Sequence, residues 1–498
     1  MLYTFDKSSM IFLLVLICSM ELIAQGSFIT KFNSQSDESD GLFIQNTIDE
    51  YVGIITKRTS DTHRDYYLYK LNIYGDTVLN RTFSRSDTII TIHYLVQCNT
   101  NPIEYLITGR AYRSDESEMQ YFSFFTKIDE EFNPVWEKFY RLRPDDVVAS
   151  GEYLPQLLQK ENEGYLFATN INYPGDHRLI LFDLSERGDS LQYKMYEGDS
   201  AGIYLMSLTY NHDSSAYLIH TYRAHVLQFE SEGQCITVDF DFNQTEVQYY
   251  PRWFDDGLTA KLLPDGSLVT GGLYEFAEPP PYSVMAAFKH DTNFNLMAEC
   301  YVSNPDVDIR KDNGSKSLDY YYPNSIFVAG TFDYDVGIWI QHPSWIVIGK
   351  MDSDLNLLTE KYIGGDAYYH FNTITATSDG GALITTNRYD YNTQGYEHDV
   401  YIIKLDSLDL LVGNTEHHLV QIADVIVYPN PASSYIYVRT SLKEANIVIY
   451  DLTGNEIRSS TITGLITKIE INELPSGTYI WHIYQQSKLI ETGKFIKT

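Results

Sequence analysis

The chain has 498 residues, 44% of them hydrophobic, which is ample for a large buried core. Its 36 Lys and Arg stand against 67 Asp and Glu, a formal net charge of -31 at pH 7. That sign excludes nucleic acid as a partner, because phosphate binding demands clustered cations.

At the amino terminus, MLYTFDKSSM precedes the apolar run IFLLVLICSM and then ELIAQ. The pattern predicts a secretory signal peptide over residues 1–25, cleaved after Ala24 or Gln25. The run is too short to span a bilayer. Ile17 before Cys18 is not the small residue that lipid attachment requires, so lipidation is not expected. No later stretch reaches membrane-spanning length, and the mature chain is expected to hold no transmembrane segment. It keeps Cys98, Cys235 and Cys300, an odd number that cannot define a disulfide framework.

The 42 Tyr and 24 Phe fall mostly in short alternating runs, which favour strands. One strand type recurs seven times, about 55 residues apart: YVGIITKRT, EYLITGRAY, GYLFATNIN, AYLIHTYRA, GSLVTGGLY, SIFVAGTFD and GALITTNRY. A second follows each after a variable loop and ends in a polar turn: YYLYKLNIYGD, FSFFTKIDEEFN, RLILFDLSERGD, AHVLQFESEGQ, VMAAFKHDTNFN, WIVIGKMDSDLN and VYIIKLDSLD. An outer strand, as in TVLNRTF or LLTEKYI, and a fourth in the remaining gap make four per unit, the composition of a propeller blade. The expected architecture is all-β, a seven-bladed β-propeller over residues 26–408, with a six- or eight-bladed ring or a solenoid as alternatives. After the last unit DLLVGNT is a poor outer strand, whereas SFITKFN near the mature amino terminus looks like one, so residues 27–33 are expected to complete the seventh blade. EGYLFAT and DVYIIKLD resemble the loosely related propeller repeats of many exported Bacteroidota proteins.

Chemical signals are sparse. Asp352-Ser353-Asp354-Leu355-Asn356 imitates part of a calcium loop but lacks its central Gly and terminal Glu. Asp291-Thr292-Asn293 and Asp129-Glu130-Glu131 stand at equivalent places, so all three read as turns. Glu416-His417-His418 are adjacent and do not converge as metal ligands must. His63, His177 and His398 stand beside Asp65, Asp176 and Asp399; their recurrence points to a shared structural position rather than a general base. No catalytic residue, metal or cofactor is expected. The loops between the two recurring strands, including SDTHRD, NYPGDH, FDYDVGIWIQHPS and RYDYNTQGYEHD, mix Tyr, Trp, Asp and His on one expected face. Loops on a rigid scaffold commonly carry binding. The candidates there are Asp65, Asp176, His177, Tyr334, Asp335, Trp339, Tyr389, Tyr391 and Asp399.

Residues 409–424 read as a linker, and residues 425–498 as six or seven short strands with turns at Asn430-Pro431, Thr453-Gly454-Asn455 and Pro475-Ser476-Gly477. The spacing suits a small immunoglobulin-like β-sandwich. This segment carries seven basic and six acidic residues, so the negative charge belongs to the body before it. Tyr428-Pro429-Asn430-Pro431, Tyr450-Asp451-Leu452-Thr453-Gly454 and Leu474-Pro475-Ser476-Gly477-Thr478-Tyr479 resemble the type A carboxy-terminal sorting domain of type IX secretion. The resemblance implies recognition by the outer-membrane translocon, frequent removal of the domain, and release of the cargo or its attachment to surface lipopolysaccharide. The expected function is an exported, surface or secreted, non-catalytic propeller that binds glycan or protein. A propeller-fold polysaccharide hydrolase or lyase, or a structural envelope protein, is the alternative.

Overall fold

A computed structural model of the chain describes residues 27–32, 39–60, 63–85, 88–115, 118–142, 152–160, 164–173, 176–196, 202–225, 230–252, 256–276, 282–302, 316–335, 340–393, 397–407, 425–428, 432–440, 442, 445–463, 466–485 and 488–497. It is all-β, with no helix among the described residues, and so with none long and apolar enough to cross a membrane.

Strand β1 (Phe28–Phe32) stands apart from its chain neighbours. Then come six antiparallel sheets of four consecutive strands. The first holds β2 (Ser39–Thr47), β3 (Glu50–Ser60), β4 (His63–Asn72) and β5 (Thr77–Phe83). The second holds β6 (Ile89–Gln97), β7 (Glu104–Asp115), β8 (Glu118–Asp129) and β9 (Pro134–Tyr140). The third is β10 (Glu152–Gln159), β11 (Tyr165–Tyr173), β12 (Asp176–Leu184) and β13 (Ser190–Tyr196). The fourth is β14 (Gly202–Tyr210), β15 (Tyr217–His225), β16 (Glu230–Val238) and β17 (Gln244–Tyr249). The fifth is β18 (Asp256–Leu262), β19 (Leu268–Phe276), β20 (Tyr282–His290) and β21 (Leu296–Val302). The sixth is β22 (Leu318–Tyr320), β23 (Ile326–Phe332), β24 (Trp345–Met351) and β25 (Leu357–Gly364). A seventh contains β26 (Tyr368–Ala376), β27 (Ala382–Tyr389) and β28 (Asp399–Leu405), and its fourth strand is β1. Phe28 pairs with Lys404 and Phe32 with Val400, so the expected completion of the last unit by residues 27–33 is present.

The core lies between the sheets. Six apolar clusters each join two sheets consecutive in the chain, and another joins the seventh sheet to the first through Phe32, Leu383, Val400 and Ile402 against Phe43, Tyr51, Ile55 and Leu71. Because the middle strands are covered on both faces, β27 and β28 are buried at every position, whereas the outer strand β5 is mostly exposed. Polar contacts run the same circle. Arg64 donates to Thr91, Tyr94 to Gln156, Asn170 to the Ile203 carbonyl, and the Ala260 amide to Ser207. The Ser317 amide donates to Thr259, the Ile374 amide to the Lys316 carbonyl, and Thr375 to the Phe43 carbonyl. Bulges in the first strands, between Leu205 and Ser207 and between Asp256 and Thr259, precede the hydroxyls used here. Close approach needs glycine: a Cβ on Gly271 would stand 2.6 Å from Leu318, and one on Gly330 2.5 Å from the Met285 sulfur.

The calcium-like segments are turns. Asp352 accepts the amides of Asp354 and Asn356 (both 2.9 Å) and the Asn356 side chain (2.8 Å), and Asp129 and Asp291 repeat the pattern with Asn133 and Asn295. The residue before each Asn has positive φ, 65° at Phe132, 63° at Phe294 and 61° at Leu355, yet each is a buried apolar side chain. The left-handed backbone costs about 1–2 kcal/mol, and burial of the side chain offsets it. The fourth unit departs from expectation: AHVLQFESEGQ is not its third strand, which is β16, ESEGQCITV, ending in the same turn at Asp239 and Asn243. Its polar ESEGQ stretch imitates a turn, but strand pairing with β15 continues through it.

The lysine of the recurring third-strand pattern is structural. Lys404 is fully buried and bonds Asp379 at 2.7 Å and the Leu405 carbonyl at 2.8 Å. Lys404→Met keeps the volume but strands the Asp379 carboxylate, and is expected to cost about 3 kcal/mol in urea unfolding. An unchanged midpoint would remove this role.

Residues 425–497 form a separate unit. Strands β29 (Ile426–Tyr428), β30 (Tyr435–Arg439) and β33 (Ile466–Glu470) make one sheet; β31 (Ala445–Tyr450), β32 (Glu456–Ile462), β34 (Gly477–Gln485) and β35 (Lys488–Lys497) make the other. Ile436, Val438 and Ile469 of the first share one core with Ile447, Ile449, Trp481, Ile483 and Phe495 of the second. Gly454 supplies positive φ (85°) in the Asp451–Asn455 turn, and Tyr479 donates its hydroxyl to the Pro475 carbonyl at 2.9 Å.

Candidate functional site

Antiparallel order brings the start of each first strand, the end of each second and the start of each third to one edge of its sheet. In the seventh sheet Tyr368 pairs with Tyr389 and Arg388 with Asp399. In the sixth, Phe332 pairs with Trp345, so the loop between β23 and β24 rises beside Tyr368. At this junction Tyr368 fixes the loop, donating to the Asp335 carbonyl (2.8 Å) and accepting the Asp335 amide (3.1 Å). Asp333 bends the loop with a φ of 61°, a conformation that Asp tolerates better than most residues.

Aromatic and charged groups gather on that frame. The Tyr334 ring lies 5.4 Å from His370 and 6.3 Å from Tyr368, centre to centre. His342, 38% exposed, reaches Asp333 at 3.7 Å and Asp335 at 3.8 Å, and its ring stands edge-on to Tyr368. Gln341 donates to the Tyr389 hydroxyl at 3.4 Å, and Tyr389 meets His398 at 5.3 Å. Behind them Arg388 is buried, held by Asp366 (2.8 Å), the Tyr369 hydroxyl (3.0 Å) and Asp390 (3.7 Å). Burial first, then Asp366 and Asp390, push the Tyr391 phenol up. The rim therefore presents half-buried rings next to exposed carboxylates, a surface suited to stacking and directional hydrogen bonds.

The structure places the sequence candidates unevenly. Tyr334 and Asp335 are on this rim; Tyr389 is buried beneath it and Tyr391 adjoins Asp390. Asp399 is buried and paired with Lys31 of β1 at 3.1 Å. Asp65 stands opposite Lys57 in the strand register, and burial lowers the Lys57 ammonium with Asp399 opposing. Asp176 and His177 begin β12 in the third sheet, and their side chains lie outside the described residues, as do Trp339 and Glu416-His417-His418. Sequence reasoning missed Asp333, His342, Tyr368 and His370. The first two lie in the loop segment FDYDVGIWIQHPS, where composition alone does not select them; the others belong to a first strand with no repeat signature.

Cys98, Cys235 and Cys300 are free and buried; burial pushes the Cys300 thiol up to about 11 and Cys98 upward despite a hydrogen bond from Tyr165. Among the described residues no three His, Cys, Asp or Glu are grouped to hold a metal ion.

No curated protein matches the chain. Among solved structures it is similar to the polysaccharide lyase Uly1, at 10% identity and TM-score 0.46 over 73% of this chain and 89% of that one. It is also similar to a protein of unknown function from Dyadobacter fermentans DSM 18053 (10% identity, TM-score 0.41, 64% of this chain and 98% of that one). A third is the Dos1 propeller (11% identity, TM-score 0.39, 76% and 95%). Residues 426–498 match the family described as secretion system C-terminal sorting domain, which indicates association with a secretion system, export, and a cell-surface or secreted location.

Proposed function

We propose that the protein is an exported seven-bladed propeller of the Bacteroidota type, behind a signal peptide over residues 1–25, that binds a glycan or protein at the rim between its sixth and seventh sheets. Residues 409–424 are its linker, and residues 425–498 an immunoglobulin-like sorting domain read by the type IX translocon, with release or lipopolysaccharide attachment following. The circle of seven inter-sheet cores supports the blade count. The observation that carries the binding reading is the rim itself, where Tyr334, His370 and His342 stand beside Asp333 and Asp335 on a loop locked by Tyr368.

Binding is favoured over turnover because the groups a proton-transfer centre would use are engaged internally. The Tyr368 hydroxyl is engaged with the loop backbone at Asp335, Asp399 is held by Lys31, and Arg388 by Asp366. One arrangement supports the second reading, a hydrolase or lyase: His342 between two exposed carboxylates is an acid–base set within reach of solvent.

The full chain, screened on polysaccharide and protein arrays with product analysis, separates the two. A bound partner recovered intact is expected, and Tyr334→Ala or His342→Ala should weaken its binding by about tenfold with the fold unchanged. Release of shortened or unsaturated products, abolished by His342→Ala, would replace binding by catalysis.

A further inference from the structure

Two histidines with no exposed surface meet at the core that joins the fourth and fifth sheets: His220 in β15 and His290 at the end of β20. Tyr250 stands between them. Its hydroxyl lies 2.5 Å from Nδ1 of His220, and its ring centre 5.2 Å from that of His290. The Tyr250 amide donates to the Gly233 carbonyl at 2.9 Å, which anchors it to the fourth sheet, and its hydroxyl also meets the Cys235 thiol. Nε2 of His220 reaches the Thr209 hydroxyl at 3.0 Å. A neutral imidazole suits those two partners, since one nitrogen donates, the other accepts and a hydroxyl can do either. His290 has less: neither ring nitrogen has a hydrogen-bond partner among the described residues. An imidazolium in its place would strand a charge and two N–H groups against Leu258, Ala260 and Phe294.

The charged groups around the pair are committed elsewhere. Asp291, next to His290, accepts the amides of Asn293 (2.8 Å) and Asn295 (2.9 Å) and the Asn295 side chain (2.9 Å). Lys289 of β20 turns away to Asp265 at 3.3 Å and the Ser353 carbonyl at 2.8 Å. Lys261 of β18 bonds Asp319 at 3.0 Å, and Glu299 of β21 bonds Arg252 at 3.1 Å. On the fourth sheet Glu246 acts on the Cys235 thiol, Asp239 holds Asn243 with Lys194 nearby, Arg223 and Glu232 stand opposite each other in the register, and His212 is exposed in the turn before β15. Burial pulls the His290 imidazole down to about 4 with Asp291 opposing, and burial, then His290, pulls His220 down to about 3. Once opened to water, each returns to about 6.5. Their contribution to stability is therefore complete above about pH 6.5 and is lost as the pH falls from there towards about 4 and then 3. Ordinary carboxylates titrate about or below pH 4.3, so about pH 5 is where the histidines decide the outcome.

We propose that the seam between the fourth and fifth sheets is an acid-sensitive joint, in which uptake of protons by His220 and His290 opens this one contact while the other six stay closed. Mild acid then loosens the circle at a chosen place and leaves the β1 closure between the seventh and first sheets intact. His93 is not sealed in this way: it keeps part of its surface and accepts from Arg110 at 3.0 Å. The inference is independent of the binding reading above.

Three buried thiols report three different seams. Cys98 lies in the core that joins the second and third sheets, Cys235 in the one that joins the fourth and fifth, and Cys300 in the one that joins the fifth and sixth. The test labels the full chain with dipyridyl disulfide at about pH 7.5 and about pH 5, and reads each thiol by peptide mass spectrometry. Each rate is divided into that of the same thiol in urea at the same pH, so that the ratio measures protection alone. Each histidine can contribute up to about thirtyfold at pH 5, so Cys235 is expected to lose about a hundredfold or more of its protection. Cys98 and Cys300 should stay within about threefold. His290→Phe and His220→Gln should each shrink the loss at Cys235 by about tenfold or more, and if one variant does not fold the other decides. A parallel loss at all three thiols, unchanged protection of Cys235, or the full loss persisting in a folded variant would each overturn the inference. So would opening confined to below about pH 4, which would belong to carboxylates.

Discussion

Deletion of residues 26–33 is expected to abolish cooperative unfolding and drive the chain into aggregates, although it removes one short strand. Without β1 the outer edge of β28 loses its partner and exposes a row of unpaired amides and carbonyls. Phe32, packed on Phe43 and Tyr69, and Phe28, packed on Tyr51, leave the seam between the seventh and first sheets. Asp399 loses Lys31, and the Gly75 carbonyl loses the Thr30 hydroxyl. The two Phe side chains alone account for about 4 kcal/mol, and the whole loss approaches the net stability of a domain. Thermal unfolding with size-exclusion chromatography checks this; a soluble variant melting as the parent does would mean that the circle closes without β1.

Removal of residues 425–498 is expected to stop delivery while leaving the body folded. The seven inter-sheet cores use residues up to Leu405, the last core uses Val425 to Phe495, and none mixes the two groups. The truncated protein should accumulate in the periplasm as a soluble species with the parent's melting behaviour. Mass spectrometry of both termini, on supernatant, washed cells and periplasm, reads the result together with amino-terminal cleavage near Gln25. Normal surface arrival of the truncation would end the sorting role of this segment.

What could be read from the sequence follows burial. Second and third strands covered on both faces, such as ALITTNRY and DVYIIKL, are near-continuous apolar runs bounded by turns, so they recur visibly. First strands could not be read in the same way. Strand β10 carries Pro155 within an irregularity between Tyr153 and Gln156, and β22 has three residues, so neither holds a period. The slip in the fourth unit came from treating polar ESEGQ as a stop, when tertiary pairing overrides local composition. At the candidate site, loop composition pointed to Tyr334 and Asp335, but the partners that decide each side chain's role come from other sheets. Asp399 looked available beside His398 because nothing near it in sequence announces Lys31.

The pairing of β1 with β28 also imposes an order on the life of the molecule. The first strand of the body to be synthesised must wait for the last strand of the body before it has a partner. A chain interrupted anywhere before Leu405 cannot complete that pairing, and it also lacks the sorting segment that follows. Completion of the circle and possession of the export address are thus linked by position alone, so that interrupted chains, with their open sheet edges, carry no signal that would send them to the surface.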